Sequence, residues 1–472
     1  MQIGEEQVRA IVEEVVRGFV GGNGAADTAD PGRGVFGSME EAIEAAARAL
    51  VAYRSTPVET RRRIIAGIRT IMDENAEKMA RMAVEETGMG RIDDKIQKNL
   101  LAARKTPGVE DLETATQTDE FGMTMTERAP YGLIGAITPS TNPTESIICN
   151  GIGMLAGGNT VVFNPHPAAR RVSAFTVGLI NEAVQQAGGP ANLVTTVISP
   201  TIESGTAMMR DHRVAILVVT GGPGVVRAAL ATDKKVIAAG PGNPPVVVDE
   251  TADIAKAGRD IVLGASFDNN IVCIDEKEIL AVTAIADELK SAMRVAGGYE
   301  LSREQADQLT RHLVADPGRA GHEGAANKEH VGKNAGVLAK LIGLEVPEST
   351  RLLFAEVGRD HPLVWTEQLT PMIPLVRFQT ADEAIDFAVQ CEHGMRHTAS
   401  IHSSNVERIT RMGRLMNCSL FVANGSNFNG MAAGGAGFTS YTIASPTGEG
   451  FTRPRTFTRE RRLAVIGGLR IV

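Results

Sequence analysis

The sequence predicts an α/β fold with two doubly wound parallel sheets, and three observations lead to it. Short apolar runs of strand length alternate with helix-periodic segments along most of the chain. Gly- and Pro-rich turns follow several of those runs. At 472 residues the chain is too long for one compact core.

The N-terminal segment stands apart. Val8, Ile11, Val12, Val15, Val16, Phe19 and Val20 recur at helical spacing, with Glu5, Glu6, Arg9, Glu13, Glu14 and Arg17 on the other face. Residues 1–20 therefore read as an amphipathic helix, and the Gly- and Ala-rich residues 21–37 as a flexible linker. A tethered helix must bury its stripe on its own domain, on a copy of itself or on a partner; the loose linker favours a partner.

Residues 39–53 and 59–89 read as two long helices. Residues 130–139 form a buried strand running into a loop, 145–155 a helix, and 160–163 the next strand. The alternation continues with helix 168–187, strand 193–198, helix 203–210, strand 214–219, helix 224–231 and strand 235–238. A second alternating set lies at 278–282, 285–296, 303–314, 380–389, 397–402 and 406–416. Residues 116–128 and 462–472 look like strands outside both domains, of the kind that pair between subunits. The expected division is 38–115 with 130–242 as the nucleotide-binding domain, 243–448 as the catalytic domain, and 116–129 with 449–472 as a small oligomerisation arm.

Composition narrows the function. A net charge of −8 without a basic block argues against nucleic acid, and no apolar run is long enough to span a bilayer. The acidic start of the chain is unlike a secretory signal. Four cysteines (Cys149, Cys273, Cys391, Cys418) have no metal-ligand spacing and form no disulfide framework, which fits a reducing compartment without metal.

Cys273 is the exception among them. It lies in residues 264–277 (GASFDNNIVCIDEK), a Gly- and Asn-containing turn region placed between apolar, strand-like runs, the usual setting for a nucleophile. Upstream lies a Gly-rich segment, residues 236–248 (VIAAGPGNPPVVV). Together they resemble the nucleophile segment and the preceding Gly-rich segment of the aldehyde dehydrogenase superfamily. The resemblance is strongest to the coenzyme A-acylating propionaldehyde and acetaldehyde dehydrogenases of bacterial microcompartments. It extends through residues 86–90, 106–112, 249–253 and 445–450.

The resemblance implies specific roles. Cys273 would attack the aldehyde carbonyl as thiolate, and Asn142, in Thr138-Pro139-Ser140-Thr141-Asn142, would donate to the resulting oxyanion. Thr138, Pro139, Thr220, Gly221 and Gly240 would line the NAD site, and Glu367 would hold the nicotinamide ribose. Asn164 stands where the family usually has a lysine, so the cue to the adenosine ribose is missing. Coenzyme A would share space near Asn164, His166, Thr220 and Gly221, with His166 and His397 as candidate aids to its deprotonation.

Hydrolytic members carry a glutamate just before the Gly-rich segment; Ala238 stands there, and no carboxylate occurs between Lys235 and Val248. Without a positioned base, water is a poor nucleophile toward a thioester, which favours acyl transfer to a thiol. The expected activity is oxidation of a short aldehyde to its acyl-coenzyme A. Residues 5–20 would bind a microcompartment shell protein, in the bacterial cytoplasm, and the enzyme would be a homo-oligomer. Two rivals remain: a hydrolytic dehydrogenase releasing free acid, and an inactive shell-binding scaffold.

Overall fold

The computed structural model describes residues 29–469. The N-terminal helix read from residues 1–20 lies outside them. The expected linker does not reach Ser38: Pro31–Arg33 forms a 3-10 turn and Val35–Phe36 a strand. Gly34, at φ 83°, makes the tight return, and Asp30 pairs with Val35.

Two parallel sheets dominate the architecture. The first has six strands in the spatial order Val35–Phe36, Val194–Val197, Thr160–Pro165, Leu133–Thr138, Val214–Thr220 and Lys235–Ala239. All of its pairings are parallel. Helices cover both faces, because strands such as Val-Ala-Ile-Leu-Val-Val-Thr220 are apolar on both sides. One face packs Ile216, Val218 and Ile237 into a cluster with helices Val58–Glu74 and Pro143–Ala156. The other packs Leu217, Val219 and Ala238 against helices Met39–Tyr53 and Ile202–Arg210.

The second sheet has seven strands, ordered Gly298–Glu300, Leu352–Glu356, Met372–Phe378, Glu278–Val282, Pro245–Val248, Thr398–His402 and Leu420–Ala423. It too is parallel throughout. The chain crosses directly from the last strand of the first sheet, ending at Ala239, to Pro245 at the centre of the second. That short crossing sets the C-terminal edge of one sheet beside the N-terminal edge of the other.

Several elements differ from expectation. The helix read over 59–89 is two helices, Val58–Glu74 and Ala76–Thr87, broken at Asn75, whose side-chain amide donates to the Ile71 carbonyl at 2.8 Å. Helix Ile92–Lys105 was not expected, for a reason that the site makes clear. The element before the Cys273 loop is a helix, Ile254–Ser266, not a strand. Residues read as one strand over 116–128 form a hairpin, Ala115–Asp119 with Gly122–Pro130. Gly122 (φ 144°) is required there, since a Cβ would lie 2.0 Å from the Val465 carbonyl oxygen. Strand Thr458–Ile466 completes this small antiparallel sheet.

Candidate active site

The first half of the site is a crevice. From the central strand Leu133–Thr138 the chain builds outward first to one side, then to the other, so the order reverses between Thr138 and Thr220. In open α/β sheets ligands bind outside the carboxyl ends of the strands at this point. Thr138 is buried, its carbonyl accepts the His166 N–H at 3.0 Å, and its hydroxyl has no hydrogen-bond partner. Pro139 starts the loop that follows. The Thr220 hydroxyl is 2.9 Å from that of Thr442. Gly221 donates to the Ala239 carbonyl at 3.2 Å, while added methyls at Gly222 and Gly224 would meet nothing within 4 Å.

A buried hydroxyl without a partner and an open Gly-rich strand-to-helix turn fit a dinucleotide at this edge. Asn164 is less available: its amide donates to the Thr201 carbonyl (3.2 Å) and accepts from the Ser204 hydroxyl (2.6 Å). His166 caps the turn Pro167–Ala169 through Nδ1, and burial, with the charge of Lys328, lowers its pKa.

The second half is the loop that carries Cys273. Asp268, Asn269 and Asn270 are all left-handed (φ 45°, 57°, 64°), a run that only Asp, Asn and Gly adopt readily. Their side chains hold it. The Asn270 amide donates to the carbonyls of Ala265 (2.8 Å) and Glu276 (3.0 Å). Buried Lys277 donates back to the Asn270 carbonyl and side-chain oxygens at 2.8 and 2.6 Å. The Val272 N–H donates to Asp275 at 3.0 Å. Cys273 emerges partly exposed between buried Val272 and Ile274. Burial, helped by the charges of Glu367 and Asp275, pushes its thiol up to about 12. At neutral pH the resting side chain is therefore a thiol.

Gly242 joins the two halves. A Cβ there would sit 2.7 Å from the Cys273 carbonyl oxygen and 2.9 Å from the His397 ring. Its N–H donates to Glu367 Oε1 at 3.2 Å. Burial raises Glu367 to about 7, opposed by Lys277 and the Gly242 N–H. His397 is fully buried, with Nδ1 2.8 Å from the Thr398 hydroxyl and Nε2 without a hydrogen-bond partner. Burial, then Lys277, lowers it to about 4, so the ring is neutral near pH 7. Gly240 packs against Pro446, whose Cγ would lie 3.1 Å from a Cβ added there. Ala238 is fully buried among Leu217, Val219 and Val226.

Asn142 precedes helix Pro143–Ala156 and is anchored by a group the sequence did not bring forward. Lys98 Nζ donates to Asn142 Oδ1 at 2.7 Å and to Asp268 Oδ2 at 2.7 Å, with Glu145 Oε1 at 3.4 Å. Lys95 Nζ donates to the same Asp268 oxygen at 2.9 Å. Asp94 accepts the Asp268 N–H at 2.9 Å and pairs with Arg351. All four side chains, Asp94, Lys95, Lys98 and Asp268, are buried. Despite burial, the two lysines hold Asp268 below the usual carboxylate range. Asp94, Lys95 and Lys98 are buried on the inner face of helix Ile92–Lys105, while its apolar row Ile92, Ile96 and Leu100 stays partly exposed, so the buried face is the one that reads as polar.

Among the described residues no group of three or more His, Cys, Asp or Glu could hold a metal ion, and no helix is long and apolar enough to cross a membrane.

Fold and site together define a two-sheet α/β enzyme in which the segment that follows the first sheet, at Gly242, packs against the loop that carries Cys273. The aldehyde dehydrogenase family model matches residues 36–306 and 349–445, and the chain belongs to that family. It is 47% identical over 440 residues, covering 93% of this chain and 94% of the relative, to the acetylating acetaldehyde dehydrogenase EutE of Salmonella typhimurium. The propionaldehyde dehydrogenase of Rhodopseudomonas palustris, solved with bound coenzyme A and an acylated cysteine, superposes with a TM-score of 0.90 at 48% identity, covering 93% of this chain and 100% of that one. A propionaldehyde dehydrogenase from the fucose-utilisation microcompartment of Clostridium phytofermentans superposes with the same TM-score of 0.90, at 47% identity over 93% of this chain and 100% of that one.

Proposed function

We propose that this enzyme oxidises a short-chain aldehyde, propionaldehyde or acetaldehyde, to its acyl-coenzyme A through a thioester on Cys273. The observation that carries the reading is the pairing of a framed cysteine with a buried alanine, Ala238, where a hydrolytic enzyme needs its base. The Cys273 sulfur adds to the carbonyl carbon, and the oxyanion is met by the Asn142 amide and the Cys273 N–H. Bound NAD+ supplies the hydride acceptor, seated along Thr138, Pro139, Thr220, Gly221 and Gly240 with Glu367 at the ribose. Loss of hydride leaves the Cys273 thioester. Coenzyme A, entering near Asn164 and His166, then takes the acyl group in a nearly isoenergetic thioester exchange. His397 lies against Gly242 with its Nδ1 on the Thr398 hydroxyl, and with its pKa lowered to about 4 it would be a weak base for the thiol proton.

The named relatives support a place inside a bacterial microcompartment in the cytoplasm. Residues 5–20 are the segment that would bind the shell protein, and the antiparallel sheet of strands Gly122–Pro130 and Thr458–Ile466 is suited to join subunits in a homo-oligomer. Deleting residues 1–20 is expected to leave turnover intact while abolishing co-purification with shell protein; unchanged co-purification would remove the targeting role.

The test of the chemistry follows NADH absorbance with propionaldehyde and NAD+, with and without coenzyme A. Sustained turnover only with coenzyme A is expected. Sustained turnover without it would overturn the acylating assignment.

A further inference from the structure

We infer that Lys98 is a positioning residue for the oxyanion donor, fixing which way the Asn142 amide faces and tying it to the loop that carries Cys273. The inference rests on the reading of Asn142 as the oxyanion donor.

An asparagine amide has an oxygen and a nitrogen of nearly the same size, so packing alone does not decide its orientation. Its partners do. Lys98 carries only donors, so the atom facing it at 2.7 Å must be Oδ1. Nδ2 is thereby turned away. It gives one N–H to the Thr141 hydroxyl at 3.2 Å and keeps a second. A neutral or acceptor side chain at position 98 would allow the flipped amide, which would present an acceptor to an oxyanion and repel it. A cation on Oδ1 also draws electron density through the amide and makes Nδ2–H the stronger donor.

The same ammonium reaches the nucleophile loop. Its bond to Asp268 Oδ2 (2.7 Å) lands five residues before Cys273, in the left-handed run that shapes the loop. Gly90 leaves room for that carboxylate, since a Cβ there would lie 2.1 Å from Asp268 Oδ1. Donor and nucleophile follow from different sheets, and Lys98 ties Asn142 directly to Asp268 in the loop that carries Cys273. A lysine serving stability alone would need no partner on Asn142: Asp268 and Glu145 already neutralise the pair of buried lysines.

The test is a double-mutant cycle on the pre-steady-state burst of NADH, with unfolding temperatures measured in parallel. Asn142→Ala is expected to slow the burst about 10²-fold or more. Lys98→Met, of similar length and uncharged, is expected to slow it about 10- to 100-fold, with the aldehyde KM changed far less than the rate. In the Asn142→Ala background, Lys98→Met should cost no more than about threefold, because the amide it orients is gone and Lys95 still holds Asp268. If its effect multiplies in full in that background, or if Lys98→Met alone leaves the burst unchanged, Lys98 has no part in positioning. An unchanged burst in Asn142→Ala would instead remove the oxyanion reading itself, and this inference with it. Should Lys98→Met fail to fold, the cycle is run in an Asp268→Asn reference, which balances the lost charge, with Lys98→Met and Asn142→Ala added singly and together, and the same non-additivity is required.

Discussion

The crevice at the end of the first sheet and the loop around Cys273 meet at Gly242, yet they are built in opposite ways. The crevice has a turn with open space at Gly222 and Gly224 and a threonine hydroxyl, that of Thr138, left without a partner. The Cys273 loop has three consecutive left-handed residues, held by the Asn270 amide and the Lys277 ammonium, and a buried network of lysines and carboxylates. Each construction suits a different part of the reaction. Ligands that must come and go need unsatisfied groups and space. A nucleophile that must meet one developing charge needs a fixed frame, and the frame costs backbone strain and buried charge that the surrounding bonds must offset.

The largest effect expected is chemical. Cys273→Ala should abolish acyl-coenzyme A formation, by about 10⁴-fold or more, while the unfolding temperature hardly moves. Clear residual turnover would mean that the loop frames the wrong atom. Next is Gly242→Ala, where the two regions touch. The added methyl strikes the Cys273 carbonyl and the His397 ring, so stability should fall by about 1–3 kcal/mol, with a marked loss of rate. A variant of normal activity and stability would show that the junction yields.

A smaller effect follows from pH. Glu367 is raised from 4.5 to about 7, so between those values the folded protein binds more protons than the unfolded chain. Its contribution is fully present below pH 4.5 and is lost as pH rises through 7, a change of roughly 1–3 kcal/mol. Glu367→Gln should lessen that decline in unfolding curves measured between pH 5 and pH 8, with Glu276, likewise raised to about 7 by burial, supplying a share of the rest; an unaltered slope would refute it. His397 has the opposite sign. Lowered to about 4, it costs stability as pH falls from 6.5, which bounds the range where the glutamate is read cleanly. The smallest stability effect is expected in the crevice. Gly222→Ala sits at an ordinary φ of −66° with open space around it, so stability should stay within about 0.5 kcal/mol while the KM for NAD+ rises. A large stability loss there would erase the contrast.

Both parallel sheets were legible in the sequence, because a strand such as Leu133–Thr138 is apolar on both faces and bounded by turn residues. The segments holding Cys273, Asn142 and Glu367 were singled out by their resemblance to the aldehyde dehydrogenase superfamily, and Cys273 also by its place in a Gly- and Asn-containing turn region. The frame was not. Asp94, Lys95 and Lys98 look like the solvated face of a helix, and only the fold turns that face inward onto Asp268. Hydrophobic periodicity is blind to a helix that buries charges against charges. The role of Asn164 was obscured for a related reason: its partners, Thr201 and Ser204, lie about forty residues downstream, and no local pattern joins them.

The short strand Val35–Phe36 has a practical consequence. It runs parallel to Val194–Val197 at one border of the first sheet, so the chain enters from the end of that sheet opposite the crevice. A dye or solid support attached at exposed Asp30 itself would thus sit on the far side of the sheet from the crevice, which makes that border a natural handle for immobilising this catalyst.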